Sequence, residues 1–525
     1  MELMNLVSPL EIEIACVDGW SKEIPADVEI KIDAYGEVSV SATETGLTKI
    51  RFTYQAPEEL RDAYVYGDAF ERGYGNLEWS RKKRTMYWYC MFTDKIETCG
   101  YGVKTQPNAL CFWEYDNDRL YLILDIRNGT ESLYLNGRIL MMAQLVAEKY
   151  EGDVNEAAHS FCKKMCDAPR LPKQPVYGGN DWYCNYGHNS YESIMLHARR
   201  IAECAPDTDN RPFMVIDDGW QLCSSREEGR QFFIGGPWEA NRKFGDMEKL
   251  AKDIASLNVI PGIWMRPLLT VEHVCQDAVL DHDGLIQILD PSHPETLEMV
   301  KRDVKKIVGW GYKLIKHDFS TYEIFRLWGF NMKEDIYGCK VEFYDKTRTT
   351  AQIVKDFYRA IKEAAGEDVL IIGCNTLTHL SAGVFDLQRT GGDTSGQEWA
   401  ITRQMGVNTL AMRMPQHNAF YAVDADCVGI TNAVPWDKNR QWLDVLAKSG
   451  TPLFVSIAED AYTEEVKADL KIAFEKAAFE HHVSKPEDVI ENYQPKTWVS
   501  DFGKDTYDWG KIEKGDEIDA ILQRI

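Results

Sequence analysis

The sequence lacks the features that mark membrane, nucleic-acid-binding or secreted proteins. No run approaches the roughly 20 consecutive apolar residues that a membrane-spanning helix needs. Basic residues number 59 against 83 acidic ones, so the net charge is −24 and the basic surface that attracts nucleic acids and anionic membranes is missing. The first residues contain no basic segment followed by an apolar one, as a secretory signal would. We therefore expect a cytoplasmic protein with neither kind of partner.

The usual spacings of metal ligands are also missing. His188, His379 and His417 form no His-Glu-x-x-His pattern, the helical arrangement that binds zinc. The 13 cysteines are scattered and odd in number, which is typical of reduced thiols in the cytoplasm. Cys162 and Cys166 lie four residues apart on a helix-like stretch, without a second pair of ligands beside them. The sequence therefore predicts neither a metal site nor another cofactor.

The chain is long enough for two or three domains, since it has 525 residues. Residues 1–150 alternate apolar and polar positions, for example in Val28–Asp33 and Glu37–Ser41, and predict an N-terminal β-sandwich domain. Residues 151–175 predict a helix and then a linker, because three prolines fall within Ala168–Pro175. Residues 486–525 are expected to form a short C-terminal β extension.

Between residues 176 and 485, short apolar runs alternate with amphipathic helical patterns. This alternation predicts an α/β fold of the (β/α)8, or TIM-barrel, type. The expected strands are Val176–Tyr183, Phe213–Asp217, Val259–Met265, Tyr312–His317, Val369–Gly373, Val384–Arg389, Phe420–Cys427 and Leu453–Ile457. The clearest helices between them are Tyr191–Cys204, Leu297–Val308, Ile353–Ala364 and Glu464–Ala478.

Polar and aromatic residues collect at the carboxyl ends of these strands, where the site of such a barrel lies. They are Asp181, Trp182, Asp217, Asp218, Trp220, Trp264, Arg266, Lys316, Asp318, Asn375, Arg389, Asp393, Asp424 and Asp426. Carboxylates and amides bind sugar hydroxyls, Trp covers the apolar face of a sugar ring, and Lys or Arg keeps nearby acids ionised. The set therefore favours a carbohydrate site.

Two of these aspartates, Asp318 and Asp393, carry the prediction of chemistry. Each follows a short apolar run, and each has a basic residue close by, Lys316 and Arg389 respectively. A nearby cation keeps a nucleophilic carboxylate ionised, whereas a second carboxylate in a drier place keeps its proton. That division between two acids is the mechanism of glycoside hydrolysis. The alternative is that both are helix caps or turn residues.

Other residues also have structural interpretations. Asp217 could cap the next helix, and the rings of Trp220 and Trp264 could belong to the core. His317 lies beside Asp318, but alternation along the strand directs it away from the site, so we expect it to pack behind. Asp386 is more typical of a structural residue than of a proton donor. Asp290 fits turn and cap chemistry before the following helix.

Several of these segments together resemble a known family. They are Ile-Asp-Asp-Gly-Trp-Gln at 216–221, Ile-Lys-His-Asp at 315–318, Arg389-x-x-x-Asp393, Asp-Ala-Asp-Cys at 424–427 and Ser-Gly-Thr-Pro-Leu-Phe at 449–454. Over about residues 175–485 the chain resembles the α-galactosidase clan of retaining glycoside hydrolases, which includes α-N-acetylgalactosaminidases and raffinose-synthase-like proteins. At 373–376, however, Gly-Cys-Asn-Thr matches neither the Glu-Trp of animal α-galactosidases nor the glycine-rich motif of bacterial ones.

The resemblance implies a role for each residue of the set. Asp318 would be the nucleophile and Asp393 the general acid/base. Asp217 and Asp218 would hold the sugar's O4 and O6, Lys316 and Arg389 its O2 and O3, Asn375 would lie near O2, and Trp182 would flank the ring, with Trp220 and Trp264 as further substrate-binding residues. No cofactor is implied.

The expected function is that of a retaining α-glycosidase acting on terminal α-galactosides, with an oligosaccharide or glycoside as its partner. N-acetylgalactosamine or another α-sugar stays open as the substrate, and so does transglycosylation, in which a second sugar replaces water. A carbohydrate-binding barrel without activity is the alternative from a different class; loss of one acid would mark it, and both acids are present. The sequence leaves a homo-oligomer open.

Overall fold

A computed structural model describes residues 1–16, 19–81, 85–223, 235–283, 286–332, 335–481 and 483–511. Residues 512–525 of the predicted C-terminal extension lie outside the described residues. Within these ranges, no helix is both long and apolar enough to cross a bilayer.

The N-terminal part is built from antiparallel strands. They are β1 (Glu11–Cys16), β2 (Gly19–Ser21), β3 (Val28–Ile32), β4 (Glu37–Ala42), β5 (Gly46–Leu47), β6 (Lys49–Gln55), β7 (Tyr64–Asp68), β8 (Thr85–Thr93), β9 (Glu97–Val103), β10 (Leu110–Tyr115), β11 (Arg119–Asp125), β12 (Leu133–Tyr134) and β13 (Ile139–Glu151). Among the described residues, eleven of these strands form one hydrogen-bonded ladder, ordered β2-β1-β6-β11-β10-β8-β9-β13-β4-β3 with β7 on β8.

The long strand β13 connects the β3–β4 hairpin to the rest of this ladder. Its first half pairs with β4 and its second half with β9, and the register shifts between Met141 and Ala143. A β-rich antiparallel N-terminal region is thus confirmed, with its strands in a continuous ladder. Helix α1 (Val154–Met165) follows, capped by Asp153, whose side chain accepts hydrogen bonds from the backbone of Asn155 and Glu156.

The second part of the chain is a parallel sheet with helices between its strands. The strands are β14 (Tyr177–Asn180), β15 (Phe213–Ile216), β16 (Ile260–Met265), β20 (Leu314–His317), β21 (Leu370–Gly373), β22 (Leu387–Arg389), β23 (Ala422–Asp424), β24 (Cys427–Ile430) and β25 (Leu453–Ile457). The described strands are ordered β23-β22-β21-β20-β16-β15-β14-β25-β24. Most of their residues are buried, as expected for parallel strands covered on both faces. The mixed α/β fold class is therefore confirmed.

The helices of this part lie at α2 (Trp182–Asn185), α3 (Tyr191–Cys204), α4 (Met247–Ser256), α5 (Pro294–Gly309), α6 (Ser320–Phe325), α7 (Thr350–Ala365), α8 (Thr378–Ser381), α9 (Trp399–Ile401), α10 (Thr409–Arg413), α11 (Trp436–Ser449) and α12 (Glu464–Ala477). A π-helical turn, Thr402–Asn408, joins α9 to α10. Small antiparallel sheets form from β17 (Leu269–Thr270), β18 (Val279–Asp283) and β19 (Ile286–Leu289), and from β26 (Lys485–Pro486), β27 (Thr497–Ser500) and β28 (Gly503–Thr506).

Local sequence explains where the long helices begin. Ser190 caps α3 through a capping box with Ser193, and Thr349 caps α7 through a capping box with Gln352. Each helix then buries an apolar face at helical spacing, so that both predicted helices form where expected. The N-cap of α5 is His293 rather than Asp290, whose carboxylate instead accepts backbone hydrogen bonds from Ser292 and Tyr344.

Strands β23 and β24 stand at opposite ends of the sheet order, yet only Ala425 and Asp426 separate them in the chain. The sheet therefore curls until its first and last strands meet in one chain segment. Asp426 has φ of 72°, a left-handed conformation that breaks the strand between its two pairings. The predicted strand Phe420–Cys427 is thus divided in two.

Candidate active site

Parallel strands bring the predicted polar residues to one edge of the sheet. Lys316 lies within β20 and Asp318 follows it directly, while Arg389 and Asp424 end β22 and β23. Asp217 and Asp218 follow β15, and Asn375 follows β21. Because carboxyl ends of neighbouring parallel strands share an edge, these side chains come together at one edge of the sheet.

Asp318 is held in place by two hydrogen bonds. Its Oδ2 accepts from the indole N–H of Trp264 at 3.1 Å, and its Oδ1 accepts from the backbone N–H of Phe319 at 2.8 Å. Burial acts to raise the pKa of Asp318, but the Lys316 and Arg72 cations and these two hydrogen bonds bring it below its usual value. Asp318 is therefore ionised near neutral pH, as a nucleophile must be.

Asp393 lies among charges that push its pKa in the opposite direction. Its Oδ1 is 3.4 Å from a guanidinium nitrogen of Arg389 and 3.7 Å from one of Arg72. Burial raises the pKa of Asp393, the Arg389 cation lowers it, and the Asp426 carboxylate raises it, with a net upward shift. The Asp393 side chain is nevertheless 45% exposed, so water still reaches its carboxyl group.

Arg389 is shared among several carboxylates. Its Nη2 lies 2.8 Å from Asp426, and its Nε lies 3.5 Å from Asp424. Asp426 also accepts hydrogen bonds from the hydroxyl of Tyr183 and, at 2.9 Å, from the backbone of Thr394. Arg389 is therefore engaged mainly by Asp426, which leaves Asp393 only a longer contact. This division is consistent with the raised pKa of Asp393.

Both oxygens of the Asp217 carboxylate accept hydrogen bonds from protein groups. Its Oδ2 accepts from Lys316 Nζ and from the amide of Asn180, both at 2.7 Å, and its Oδ1 accepts from the backbone of Asp218 at 2.9 Å. The Asp217 backbone N–H in turn donates to Asp181 Oδ1 at 2.7 Å. Asp217 therefore fixes the position of Lys316 rather than capping a helix.

Asp218 has one free oxygen. Its Oδ1 accepts from Gln221 at 2.6 Å, whereas its buried Oδ2 has no hydrogen-bond partner among the described residues. Burial raises the pKa of Asp218 to about 7. Gly219 has φ of +118°, and a Cβ there would lie 2.3 Å from Asn189 Oδ1, so glycine lets the chain turn tightly after both acids. Asp218 Oδ2 is the acceptor that a ligand hydroxyl can satisfy.

The three predicted tryptophans lie in different environments. Trp220 is fully buried, packs against Trp238 and Trp310, and donates its indole N–H to the backbone oxygen of Trp264 at 2.9 Å. Trp264 is also buried and binds Asp318. Trp182 is half-buried beside Tyr186, with ring centroids 5.4 Å apart. Of the three, Trp182 alone is partly exposed, as stacking on a ligand ring requires.

Asn375 is buried and its amide is already bonded. Its Nδ2 donates to Glu71 Oε2 at 2.8 Å, and its Oδ1 accepts from the backbone of Tyr322 at 3.3 Å. The neighbouring Cys374 thiol interacts electrostatically with Asp318, Arg389 and Lys316, and burial raises its pKa. Asn375 thus supports the segment after Asp318. Cys374, the residue directly after β21, interacts instead with the charged cluster, which consists of Arg72, Lys316, Asp318, Arg389, Asp393 and Asp426.

The N-terminal region supplies residues that sequence reasoning missed. Glu71 is fully buried, Arg72 is 7% exposed, and both belong to the loop after β7. Arg72 lies over the rings of Tyr74 and Trp328, 5.7 Å from each centroid, and its Nε has no hydrogen-bond partner among the described residues. The only signal in the sequence is a charged pair between apolar and glycine residues in Phe-Glu-Arg-Gly-Tyr-Gly, which does not indicate a site.

His317 and Asp386 lie away from the site, as expected. His317 is buried against Phe357, Tyr358 and Phe385, and burial lowers its pKa to about 3. Asp386 is buried and accepts from Lys362 at 2.9 Å and from Arg170 at 3.1 Å.

Within the described part of the chain, one group could hold a metal ion. Ligand atoms of Cys275, His293 and Glu295 lie within 4.8 Å of one another at the amino end of α5. His293 Nδ1 accepts from the backbone N–H of Glu295 at 3.2 Å, which leaves the proton on the nitrogen nearer to Cys275, and a helix N-terminus disfavours cations. None of these residues belongs to the cluster around Asp318.

No family model matches the sequence. Solved α-galactosidases, however, have the same fold. TtGalA from Thermus thermophilus, in complex with p-nitrophenyl α-D-galactopyranoside, aligns with a TM-score of 0.61 and 15% identity over 92% of this chain and 97% of that chain. The GH36 α-galactosidase AgaA from Geobacillus stearothermophilus aligns with a TM-score of 0.60 and 13% identity over 90% of this chain and 71% of that chain.

A third structure, the galactosidase domain of the α-galactosidase–sucrose kinase AgaSK, aligns with a TM-score of 0.57 and 15% identity over 86% of this chain and 66% of that chain. The chain therefore has the fold of the GH36 α-galactosidases, including a β-rich N-terminal region before the parallel sheet. The mixed α/β fold with a β-rich N-terminal region, which the sequence resemblance implied, is confirmed.

Proposed function

We propose that this protein is a retaining α-glycosidase that acts on terminal α-galactosides. The observation that carries the proposal is that Asp318, fixed by the Trp264 indole and the Phe319 backbone, and Asp393, in contact with Arg389 and Arg72, follow strands β20 and β22 of one parallel sheet. The pKa of Asp318 is lowered and that of Asp393 is raised, although Lys316 and Arg72 act on both. Double displacement requires an ionised nucleophile and an acid that holds its proton more tightly, and the two shifts act in these directions.

In the first step, an Asp318 oxygen attacks the anomeric carbon while the bond from that carbon to the aglycone oxygen breaks. Asp393 gives its proton to the departing oxygen, and a glycosyl–Asp318 ester remains. In the second step, Asp393, now a carboxylate, takes a proton from water as the water oxygen attacks the anomeric carbon. The ester bond breaks, Asp318 is released, and the sugar keeps its original α configuration. Both steps proceed on carboxylates alone.

The arrangement of acceptors and donors supports galactose as the sugar. Asp217 and Asp218 both follow β15, but the Asp217 carboxylate already accepts from Lys316, Asn180 and the Asp218 backbone, so the acceptor that we assign to a sugar hydroxyl is Asp218 Oδ2. The axial O4 of galactose is the hydroxyl that would donate to it, whereas the equatorial O4 of glucose points elsewhere. Lys316, Arg389 and Arg72 are the donors available to the remaining hydroxyls, and Trp182 is available to the ring face.

The known ligands of proteins with this fold support the same substrate class. TtGalA has been solved with stachyose and with p-nitrophenyl α-D-galactopyranoside. We also propose that the parallel sheet closes into a complete (β/α)8 barrel. Strand β23 pairs with β22 at one edge of the sheet and β24 pairs with β25 at the other, yet only two residues separate β23 from β24 in the chain.

Two related activities use the same residues. A transglycosylase would accept a second sugar in place of water at the Asp393 side. An α-N-acetylgalactosaminidase would need space beside O2, where Cys374 and Asn375 lie buried. The tight packing at these two residues favours a free 2-hydroxyl over an N-acetyl group.

The direct test is a panel of p-nitrophenyl α-glycosides. The α-galactoside should be cleaved ahead of the α-glucoside and α-N-acetylgalactosaminide, and NMR should show the α-anomer as the first product. Release of the β-anomer would refute the retaining mechanism, and absence of turnover on every α-glycoside would refute the enzymatic function.

The role of Asp318 is tested by Asp318→Ala. Turnover should be lost on all substrates, and added azide should restore it by attacking the anomeric carbon in the space left free. The product should be the inverted β-glycosyl azide, identified by NMR. Residual wild-type-like hydrolysis in this variant would remove Asp318 from the nucleophile's role.

A further inference from the structure

Glu71 is a fully buried carboxylate that touches three separate segments around the cluster. Its Oε1 accepts from the hydroxyl of Tyr74 and the backbone N–H of Gly329, both at 2.9 Å. Its Oε2 accepts from the Asn375 amide at 2.8 Å. The carboxylate of one N-terminal residue is therefore surrounded by donors from its own loop, from the segment after α6 and from the end of β21.

One of these contacts leads to Asp318. Asn375 Oδ1 accepts from the backbone of Tyr322, which fixes the amide with its NH2 toward Glu71. The Asn375 backbone oxygen accepts from the Thr321 backbone and hydroxyl, at 3.3 and 3.0 Å. Tyr322 and Thr321 belong to α6, which begins two residues after Asp318. Asn375, oriented by Glu71, thus holds the helix that carries the nucleophile's loop.

The loop that contains Glu71 also contacts the segment before Asp393. Gly73, two residues from Glu71, donates its N–H to Thr390 O at 2.8 Å and accepts from Gly392 N at 3.0 Å. Arg72, adjacent to Glu71, lies 3.7 Å from Asp393. The loop of Glu71 is therefore hydrogen-bonded to the segment that immediately precedes the acid.

We propose that Glu71 is a positioning residue that sets the separation of Asp318 and Asp393, acting through Asn375 on one side and through its own loop on the other. The inference rests on the proposed function, because a retaining enzyme needs its two carboxyl groups about 5–5.5 Å apart. A misplacement of about 1 Å can cost about 100-fold in rate. Glu71 touches no reacting atom in this role.

The pairing of Glu71 with Asn375 permits an exchange test. In Glu71→Gln, the introduced NH2 group faces a hydrogen-bond donor in either orientation of the amide. In one orientation it faces the NH2 group of Asn375, and in the other it faces the backbone N–H of Gly329. In Asn375→Asp, two carboxylates face each other. In the double variant, the introduced amide would donate to the new carboxylate, which still accepts from Tyr322, so every hydrogen bond is restored with the same charge.

The experiment measures kcat and KM on p-nitrophenyl α-galactoside for the wild-type protein, the two single variants and the double variant. Each single variant should lower kcat by about 10- to 100-fold, with a smaller change in KM. The double variant should recover kcat by about 10-fold or more over either single variant. A double variant as slow as the product of the two single effects would overturn the proposal. Asp386→Asn is the matched control: it alters a buried carboxylate at the amino end of β22 and should lower the melting temperature without this loss of kcat.

Hydrogen exchange separates failure of this inference from failure of the proposed function. Glu71→Gln should increase exchange in residues 320–331 and 390–393, and the double variant should reverse the increase. This measurement needs no substrate, so it applies even if the wild-type protein cleaves no α-galactoside. Unchanged exchange in both segments would overturn the role of Glu71 regardless of activity.

Discussion

The indole N–H of Trp264 donates a 3.1 Å hydrogen bond to Oδ2 of Asp318. This bond stabilises the charged form of Asp318 and fixes the direction of one of its oxygens. In Trp264→Phe, the lost hydrogen bond should raise the pKa of Asp318 and lower kcat/KM by about 10-fold, the low end for hydrogen bonds to charged groups. Since Asp318 acts when ionised, the acidic limb of the pH profile of kcat/KM should move to higher pH.

The matched control for this prediction is Trp442→Phe. Trp442 is fully buried in α11, and its indole nitrogen has no partner among the described residues, so the change removes packing but no hydrogen bond. It should lower stability and leave the acidic limb in place. An unmoved limb in Trp264→Phe would show that the indole does not tune the nucleophile.

Asp393→Ala should separate substrates by their leaving groups. Without the acid, a galactoside with a sugar aglycone should lose about 100-fold or more in kcat/KM, whereas an activated aryl galactoside should lose much less, because it needs little protonation. The alkaline limb of the pH profile, which reports loss of the Asp393 proton, should disappear. Equal losses on both substrates, measured by initial rates, would show that Asp393 is not the acid.

Arg72 should shift both limbs of the pH profile together. Its cation lowers the pKa of Asp318 and opposes the rise in the pKa of Asp393. Arg72→Gln should therefore raise both pKa values, so that the acidic limb, which requires ionised Asp318, and the alkaline limb, which requires protonated Asp393, both move to higher pH. Arg72→Lys keeps the charge and should keep the limbs nearer to their wild-type positions. Movement of one limb alone would place Arg72 beside only one acid.

Asp218 and Asp217 should differ in their effect on sugar preference. Charge-assisted hydrogen bonds contribute about 1.5–3 kcal/mol each, so α-galactosides should exceed α-glucosides by about 10- to 100-fold in kcat/KM. Asp218→Asn should narrow this ratio by weakening the free acceptor. Asp217→Asn should weaken the contact with Lys316 and slow both substrates alike, leaving the ratio near its wild-type value. Equal wild-type rates on the two sugars would refute galactose and leave the two-aspartate mechanism untouched.

The positions of the strands and their polar ends could be predicted from the sequence because they depend on local patterns. All eight expected strand segments of the parallel sheet contain observed strands, and helices α3 and α7 form where their caps and apolar spacing place them. The proposed acids, Asp318 and Asp393, could be placed at the same edge of the sheet because each follows a buried strand. Boundaries were less predictable: Val384–Arg389 shortens to Leu387–Arg389 because Asp386 turns to accept from Lys362.

Side-chain direction beyond a strand end could not be predicted, since regular alternation stops there. Trp220 turns into the core after Gly219, and Asn375 turns toward Glu71, although both follow strands of the site. Glu71 and Arg72 could not be found at all, because about 250 residues separate them from Asp318 and no local pattern encodes that contact.

The hydrogen bonds between Gly73 and the Thr390–Gly392 segment make the parallel sheet depend on the N-terminal region that precedes it in the chain. A Cβ on Gly391 would lie 2.0 Å from the Met405 backbone oxygen, so this crossing leaves no room for a larger residue. A fragment that begins at residue 176 would contain both acids yet leave Asp393 without Arg72 and its neighbouring loop. A fusion protein that carries the parallel sheet would therefore also need the segment after β7 that contains Glu71, Arg72 and Gly73.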